Sequence, residues 1–315
     1  MTMRVHLHAL GCRLNEAELE AWSRNFQRQG HQISADPRQA DLLVVNTCAV
    51  TDEAVRKSRK LLRRTHRENP QAKLVVSGCY TSLEPDAASD NLGVDLLVPN
   101  RDKDRLVEIA SRELDLPSMP LLATEPGENP LLARGRQRAF IKVQDGCRYR
   151  CTFCIVTKAR GDERSRPMAE VDEQVNRLYV EGIHEVVLTG VHIGGYGSDS
   201  GSNLYRLIRA VLDDTDMPRI RIGSVEPWDL PDNFWELFAN SRFQPHLHLP
   251  LQSGSDKVLR RMARRCKVAE YARLVTDARR QVRDFNITTD IIVGFPGETD
   301  TDWQNTLDYI ERIGF

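Results

Sequence analysis

The 315-residue sequence has no excess of charge of either sign: 44 Lys and Arg stand against 45 Asp and Glu, a net charge of −1. That excludes a globally basic nucleic-acid binder and leaves only a local basic face. Long apolar runs are missing too. Stretches such as Leu42–Val45 fall far short of the ~20 residues a membrane helix needs, so no membrane association is expected. The start lacks the charged, apolar and small-residue regions of a signal peptide, which predicts a cytoplasmic location. An even cysteine count is also lacking. Seven cysteines without a secretory signal argue against a disulfide framework and for metal binding or catalysis. What is present, 40% hydrophobic residues and a mean hydropathy of −0.46, fits a soluble globular protein. At about 150 residues per domain the length predicts roughly two domains, large enough to fold without disulfide staples.

Apolar runs and helical patterns alternate through the first hundred residues. Strands are expected at Val5–Leu10, Asp41–Asn46, Lys73–Ser77 and Val94–Val98. Helices are expected from an Asn15 cap to Gln29, over Asp52–Arg67, and over Asp102–Glu113. Such alternation predicts a parallel sheet covered on both faces. Leu116–Arg138, rich in Pro, Gly and Arg, reads as a linker. The expected partition is residues 1–115, a linker at 116–135, and 136–315. Beyond the linker, strands are expected at Phe140–Gln144, Glu185–Thr189, Arg219–Val225, His246–Leu251 and Thr288–Val293. Helices are expected at Met168–Glu181, Leu204–Asp213, Pro231–Asn240 and Val268–Arg283. This spacing predicts part of an α/β barrel. The fold class is therefore α/β: an N-terminal parallel-sheet domain followed by a partial, open barrel.

Cys147-x3-Cys151-x2-Cys154 is the most specific signal. Three thiolates on one loop can hold three irons of a [4Fe–4S] cluster and leave the fourth iron open to a small molecule. A zinc site or coincidence is the alternative, but zinc favours paired spacings and four ligands. The loop follows the first expected barrel strand, on the face where barrel active sites lie. Cys12, Cys48 and Cys79 each follow an apolar strand directly. Parallel strands share one carboxyl edge, so the three can converge on a second cluster. The alternative is three buried core cysteines. Cys266 has no partner in the pattern.

The Cys-x3-Cys-x2-Cys loop, with Phe153 before its last cysteine, resembles the radical S-adenosylmethionine (SAM) superfamily. Other motifs narrow the resemblance to its methylthiotransferases: Gly11-Cys12-Arg13-Leu14-Asn15, Asn46-Thr47-Cys48, Ser77-Gly78-Cys79-Tyr80, Ala159-Arg160-Gly161, Arg164-Ser165-Arg166-Pro167, His248 through Gly254, and Val293 through Glu298. The first of these, with Leu188 through Gly197, is most similar to the branch acting on threonylcarbamoyladenosine in tRNA. Other branches act on isopentenyladenosine in tRNA or on a ribosomal protein. The sequence departs from the family pattern at Thr157, where Pro is common. It also stops where the pattern continues into a further barrel strand and an RNA-binding β-barrel, so the chain is read as truncated at its C-terminus.

The resemblance implies a transferase that replaces the C2–H of the modified adenine by C2–S–CH3, with two [4Fe–4S] clusters and SAM as cofactors. The cluster of Cys147, Cys151 and Cys154 would cleave SAM, and that of Cys12, Cys48 and Cys79 would carry sulfur. Phe153 and Gly294 are implied near the SAM adenine. Gly190, Glu226, Gln252 and Glu298 are candidates for polar or backbone contacts to SAM, with ordinary loop roles as the alternative. Arg160, Arg164 and Arg166, and Arg59 and Arg63 on the basic helix, are candidates for phosphate contacts. For the helix the alternative is a solvated face. Expected partners are tRNA, a reductant protein and a sulfur donor, with the chain a monomer. A competing reading from another class is a non-enzymatic iron–sulfur protein for electron transfer or cluster assembly. The absence of a fourth cysteine at either site speaks against it.

Overall fold

Period-two apolarity builds the first unit around a parallel sheet. The computed structural model describes residues 2–89, 93–117 and 137–315. Strands β1 (Arg4–Ala9), β2 (Gln32–Ile33), β3 (Leu42–Thr47), β4 (Lys73–Gly78) and β5 (Leu96–Val98) lie in the order β2-β1-β3-β4-β5. All neighbours are parallel. Successive residues point to opposite faces. Leu42 and Val44 enter one core with Val5 and Leu7, while Leu43 and Val45 enter the other with Leu74 and Val76. Burial on both faces explains why β3 is apolar without alternation. Helix α1 (Arg13–Arg28) fills the first face through Leu19, Trp22 and Phe26. On the second face α2 (Asp52–Glu68) contributes Leu62 and α3 (Cys79–Leu83) contributes Tyr80. After α4 (Pro85–Ser89), α5 (Leu106–Glu113) returns to the first face with Leu106, Val107 and Ala110.

This strand order reverses direction between β1 and β3. Open parallel sheets bind ligands at such a switch point, beyond the carboxyl ends of the strands. Cys12 and Cys48 follow the two strands that flank it.

Local differences from the sequence reading have physical reasons. Cys12, not Asn15, is the N-cap of α1. Asn15 is buried inside the helix, and its Nδ2 donates to the Leu10 carbonyl at 2.6 Å and the Thr47 carbonyl at 3.1 Å. The helix expected from Asp102 starts as a 3-10 turn at Lys103–Arg105. Strand β2 is too short to leave a periodic trace. Of the expected linker, residues 118–136 lie outside the described residues.

The second unit comprises Ile141–Cys154 and Asp162–Phe315, and the first comprises Met1–Phe140 with Ile155–Gly161. The boundary therefore cuts strand β6 (Arg138–Lys142), and the sequence partition did not foresee that Ile155–Gly161 groups with the first unit. Two short strands, β7 (Gln144–Asp145) and β8 (Arg164–Ser165), pair antiparallel. Strands β9 (Glu185–Thr189) and β10 (Arg219–Ile222) are parallel and share a sheet with β6. Strands β11 (His246–His248) and β12 (Asn286–Thr288) form a parallel pair, linked to the β10 region by bridges at Ser224–His248 and Ile220–Phe243. The staves thus follow one another in chain order, as an open barrel requires. Helices Met168–Val180 and Leu204–Asp214 bury Val171, Val175 and Leu178, and Leu204, Leu207, Ile208 and Val211, at three- and four-residue spacing.

Strands β10, β11 and β12 end earlier than expected. The apolar residues after them continue as loops on the carboxyl side, tied by Gln252 N donating to Asp290 O and Ile292 N to Gln252 O, both at 2.9 Å. The segment expected as a helix at Pro231–Asn240 is a 3-10 helix over Phe234–Ala239. A last helix, Asp300–Ile313, was not anticipated although its capping box is legible: Thr299 and Asp302 cap each other. Among the described residues, no helix is long and apolar enough to cross a membrane.

Gly78 sits at φ 109° and ψ −173°, a region that essentially only glycine occupies. A Cβ there would also collide with the Thr47 backbone. Gly78→Ala is expected to destabilise the first unit by about 2 kcal/mol or more. Urea unfolding of the apoprotein, followed by circular dichroism, measures this.

Candidate functional site

In the first unit, three cysteines lie at the carboxyl edge of the sheet. Cys48 is buried, and its neighbours include both Cys79 and Cys12. Burial pushes its thiol up from the usual range, and the two facing sulfurs add to the rise. Ser58 fixes the Cys48 backbone from both sides: its Oγ accepts from Cys48 N at 3.1 Å and donates to Cys48 O at 2.8 Å. Gly11, at φ 96°, leaves the space that Cys48 fills, since a Cβ would lie 2.5 Å from Cys48 Sγ. Cys79 begins α3, and Asn100 Nδ2 points at its sulfur from 3.8 Å.

A buried ionic network stands behind these cysteines. Glu18 accepts an ion pair from Lys103 at 2.6 Å and another from Arg160 at 3.0 Å, and all three side chains are almost fully buried. Asn46 Nδ2 donates to Glu18 at 3.0 Å. Arg160 also donates to Asn15 Oδ1 at 2.8 Å. This corrects the reading of Arg160 as a phosphate contact: its guanidinium is sequestered with Glu18 inside the first unit.

In the second unit, Gly146 (φ 73°) turns the chain from β7 into the loop of Cys147, Cys151 and Cys154. Burial pushes the Cys147 thiol up to about 11, with the charges of Cys154, Glu163 and Cys151 adding to the rise. The loop is braced by a second buried network. His192 lies between two carboxylates, with Nδ1 2.5 Å from Glu163 and Nε2 2.7 Å from Asp229. Glu163 also accepts from Arg148 N at 3.3 Å, and Asp229 accepts from the Tyr149 hydroxyl at 2.7 Å. Thr152 donates to the Arg261 carbonyl at 2.9 Å. Arg148 and Arg265 lie over the Tyr149 ring. None of His192, Glu163, Asp229 and Tyr149 was singled out from sequence, although His192, Glu163 and Tyr149 lie within or beside a quoted motif.

Among the described residues, no three His, Cys, Asp or Glu groups are close enough to hold a single metal ion. A four-iron cluster asks for something different, because its three cysteines bind three separate irons and need wider spacing. Both cysteine sets fit that demand by donor chemistry, since each supplies three free thiols.

The other sequence candidates divide. Gly190 packs so closely that a Cβ would lie 2.9 Å from Gln144 Oε1, and Gln144 in turn accepts from His192 N. Gly194 and Gly195 make room for Asp229 and His192, so this glycine-rich loop first of all accommodates the ionic network. Glu226 is paired with Arg264 at 2.7 Å, and Arg264 lies over Trp228. Gln252 holds the left-handed turn at φ 76° that ties two loops together. Glu298 accepts from Gly294 N at 2.6 Å, and Gly294 faces open space. Phe153 is half-buried in the cysteine loop. Arg166 donates to Lys142 O and Gln174, which ties it to the barrel wall, whereas Arg164 is exposed. On α2, Arg59 is engaged by Tyr80 and Glu84, whereas Arg63 is exposed.

Comparison with known proteins agrees with this geometry. The Radical SAM superfamily model matches residues 141–310, and that of the uncharacterized protein family UPF0004 matches residues 4–99. The threonylcarbamoyladenosine tRNA methylthiotransferase MtaB of Thermotoga maritima is 37% identical over 99% of this chain and 72% of its own length. The same enzyme of Bacillus subtilis is 36% identical, covering 99% and 71%. The tRNA-2-methylthio-N(6)-dimethylallyladenosine synthase of an Anaeromyxobacter species (strain K) is 36% identical, covering 99% and 69%. Among solved structures, the radical SAM methyltransferase TsrM of Kitasatospora setae superimposes with a TM-score of 0.72 at 16% identity, over 99% of this chain and 72% of its own. The cobalamin-dependent radical SAM enzyme OxsB gives 0.66 at 13%, over 99% and 52%. These two share the fold.

Fold and site together define a radical SAM protein. Within that superfamily, the chain belongs to the methylthiotransferase family, enzymes that use [4Fe–4S] clusters and SAM.

Burial by itself would lower the His192 pKa, but the bonds and charges of Asp229 and Glu163 outweigh it and hold the pKa above its ordinary 6.5. A raised folded pKa contributes stability that is complete below 6.5 and is lost as pH climbs through the folded value. The stability difference between wild type and His192→Gln is therefore expected to be largest at acidic pH and to shrink on the alkaline side. Denaturant unfolding across pH 5–9 measures it. A difference that grows with pH contradicts the paired-imidazolium account.

Proposed function

We propose that the chain acts on tRNA and replaces the C2–H of N6-threonylcarbamoyladenosine, beside the anticodon, by a methylthio group. The observation that carries this reading is the pair of three-cysteine sites on strand carboxyl edges, in a chain aligned over 99% of its length with threonylcarbamoyladenosine tRNA methylthiotransferases. When bound, the clusters and SAM supply radical chemistry at a C–H bond that acids and bases do not activate.

The chain's own residues hold and orient. Cys147, Cys151 and Cys154 would hold one cluster, and Cys12, Cys48 and Cys79 the other. His192, Glu163 and Asp229 hold Arg148 and Tyr149, and so fix the path of the first cysteine loop. Around SAM, Phe153 supplies an aromatic face and Gly294 backbone next to open space. Glu226, Gln252 and Glu298 keep the later loops in place, and Gly190 lets the neighbouring loop lie close to β7. Excluding water from such a site prevents quenching of reactive species. Exposed Arg164, Arg63, Arg56 and Lys60 supply phosphate contacts, which give affinity and little base specificity. A reductant protein and a sulfur donor complete the reaction, in the cytoplasm, with the chain as a monomer.

Nucleoside mass spectrometry tests this. Expression in a strain lacking the endogenous enzyme is expected to restore 2-methylthio-N6-threonylcarbamoyladenosine, with Cys12→Ala and Cys147→Ala each at background. Methylthiolation of N6-dimethylallyladenosine instead overturns the substrate assignment.

A further inference from the structure

The network of Glu18, Lys103 and Arg160 has no part in the reaction as described so far. Its burial is nonetheless costly: ionised groups lose hydration that pairing only partly restores, and apolar residues of similar volume often serve stability as well or better. Three buried charges at one place therefore ask for another reason. One end of the network terminates at a cysteine sulfur and the other reaches the turn that carries Cys12. Lys103 Nζ donates to Asn100 Oδ1 at 2.9 Å, which leaves Asn100 Nδ2 for Cys79 Sγ at 3.8 Å and the Ala159 carbonyl at 2.7 Å. These partners define which amide atom is nitrogen and which is oxygen. Arg160 holds Asn15 Oδ1 at 2.8 Å, and the same oxygen lies 3.9 Å from Cys12 Sγ. All of these residues belong to the first unit.

We propose that Arg160 and Lys103 are positioning residues of the Cys12, Cys48 and Cys79 site: Lys103 orients Asn100 to donate to the Cys79 sulfur, Arg160 holds Asn15 beneath the Cys12 turn, and their charge favours the more electron-rich state of the cluster held there. This rests on the reading that these three cysteines hold a cluster. Hydrogen bonds to the sulfurs and nearby charge are what set the potential of such a group. One added electron makes the cluster more negative by one charge, so a nearby cation stabilises the reduced form. Arginine suits the place better than lysine, because its planar fork reaches Glu18 Oε1 and Asn15 Oδ1 at once. The residue sits in sequence six positions after Cys154, in the Ala159-Arg160-Gly161 motif. Its work is thus done at the other cysteine set.

The experiment uses the full chain with Cys147, Cys151 and Cys154 all changed to Ala, so that one cluster remains, reconstituted anaerobically. Its one-electron midpoint potential is titrated by electron paramagnetic resonance, and iron loss to a chelator is timed. Arg160→Gln and Asn100→Leu are each expected to lower the potential and to speed iron loss about 10-fold. Arg160→Lys, which keeps the charge, is expected to stay near the parent potential. Clusters that assemble in Arg160→Gln and Asn100→Leu with the parent's potential overturn the proposal. Should Arg160→Gln fail to fold, Asn100→Leu decides it, because that change removes the amide that donates to Cys79 and accepts from Lys103 but no charge. If the parent itself takes up no iron, the ligand assignment fails, a result distinct from an unmoved potential.

Discussion

Each cysteine site depends on the chain turning sharply at the end of a strand. A cysteine directly after a strand can reach a ligand at the sheet edge only if the backbone leaves the sheet within one residue. Glycine allows this. Gly11, Gly78 and Gly146, at φ 96°, 109° and 73°, precede Cys12, Cys79 and Cys147. Cys48 is the exception. It follows Thr47 and is pinned through Ser58, and it fits only because Gly11 lacks a Cβ. The left-handed glycine before the cysteine is therefore the local rule, and the strand order that sets Cys12 and Cys48 beside the switch point is its global counterpart.

Behind each cysteine set lies a buried ionic cluster with opposite composition. In the first unit one carboxylate, Glu18, serves two cations, Lys103 and Arg160. In the second, two carboxylates, Glu163 and Asp229, enclose one imidazole. Both act mainly on the segments that leave the strands. That is the division of labour expected of a rigid sheet carrying irregular functional segments. The glycines of the second barrel loop belong to the same logic, since Gly194 and Gly195 admit Asp229 and His192.

Much of this was legible in the sequence. The apolar strands of the first unit and the Cys-x3-Cys-x2-Cys loop are patterns of period and spacing, and both were read directly. Three features were not. The early ends of β11 and β12 were invisible because Leu249–Leu251 and Ile291–Val293 stay apolar after the strand hydrogen bonds stop. Arg160 looked like a surface cation because its partners, Glu18 and Asn15, lie more than 140 positions away in sequence. His192 stood inside a quoted motif, but nothing local announces that two distant carboxylates flank it. Pairings between remote side chains leave no period to read.

Anaerobic reconstitution followed by iron and sulfide analysis tests the central claim, two separate three-cysteine sites, most directly. The account predicts about eight irons per chain, falling to about four when either Cys12, Cys48 and Cys79 or Cys147, Cys151 and Cys154 are replaced by alanine. About four irons in the unaltered chain, unchanged by loss of Cys12, Cys48 and Cys79, would contradict it.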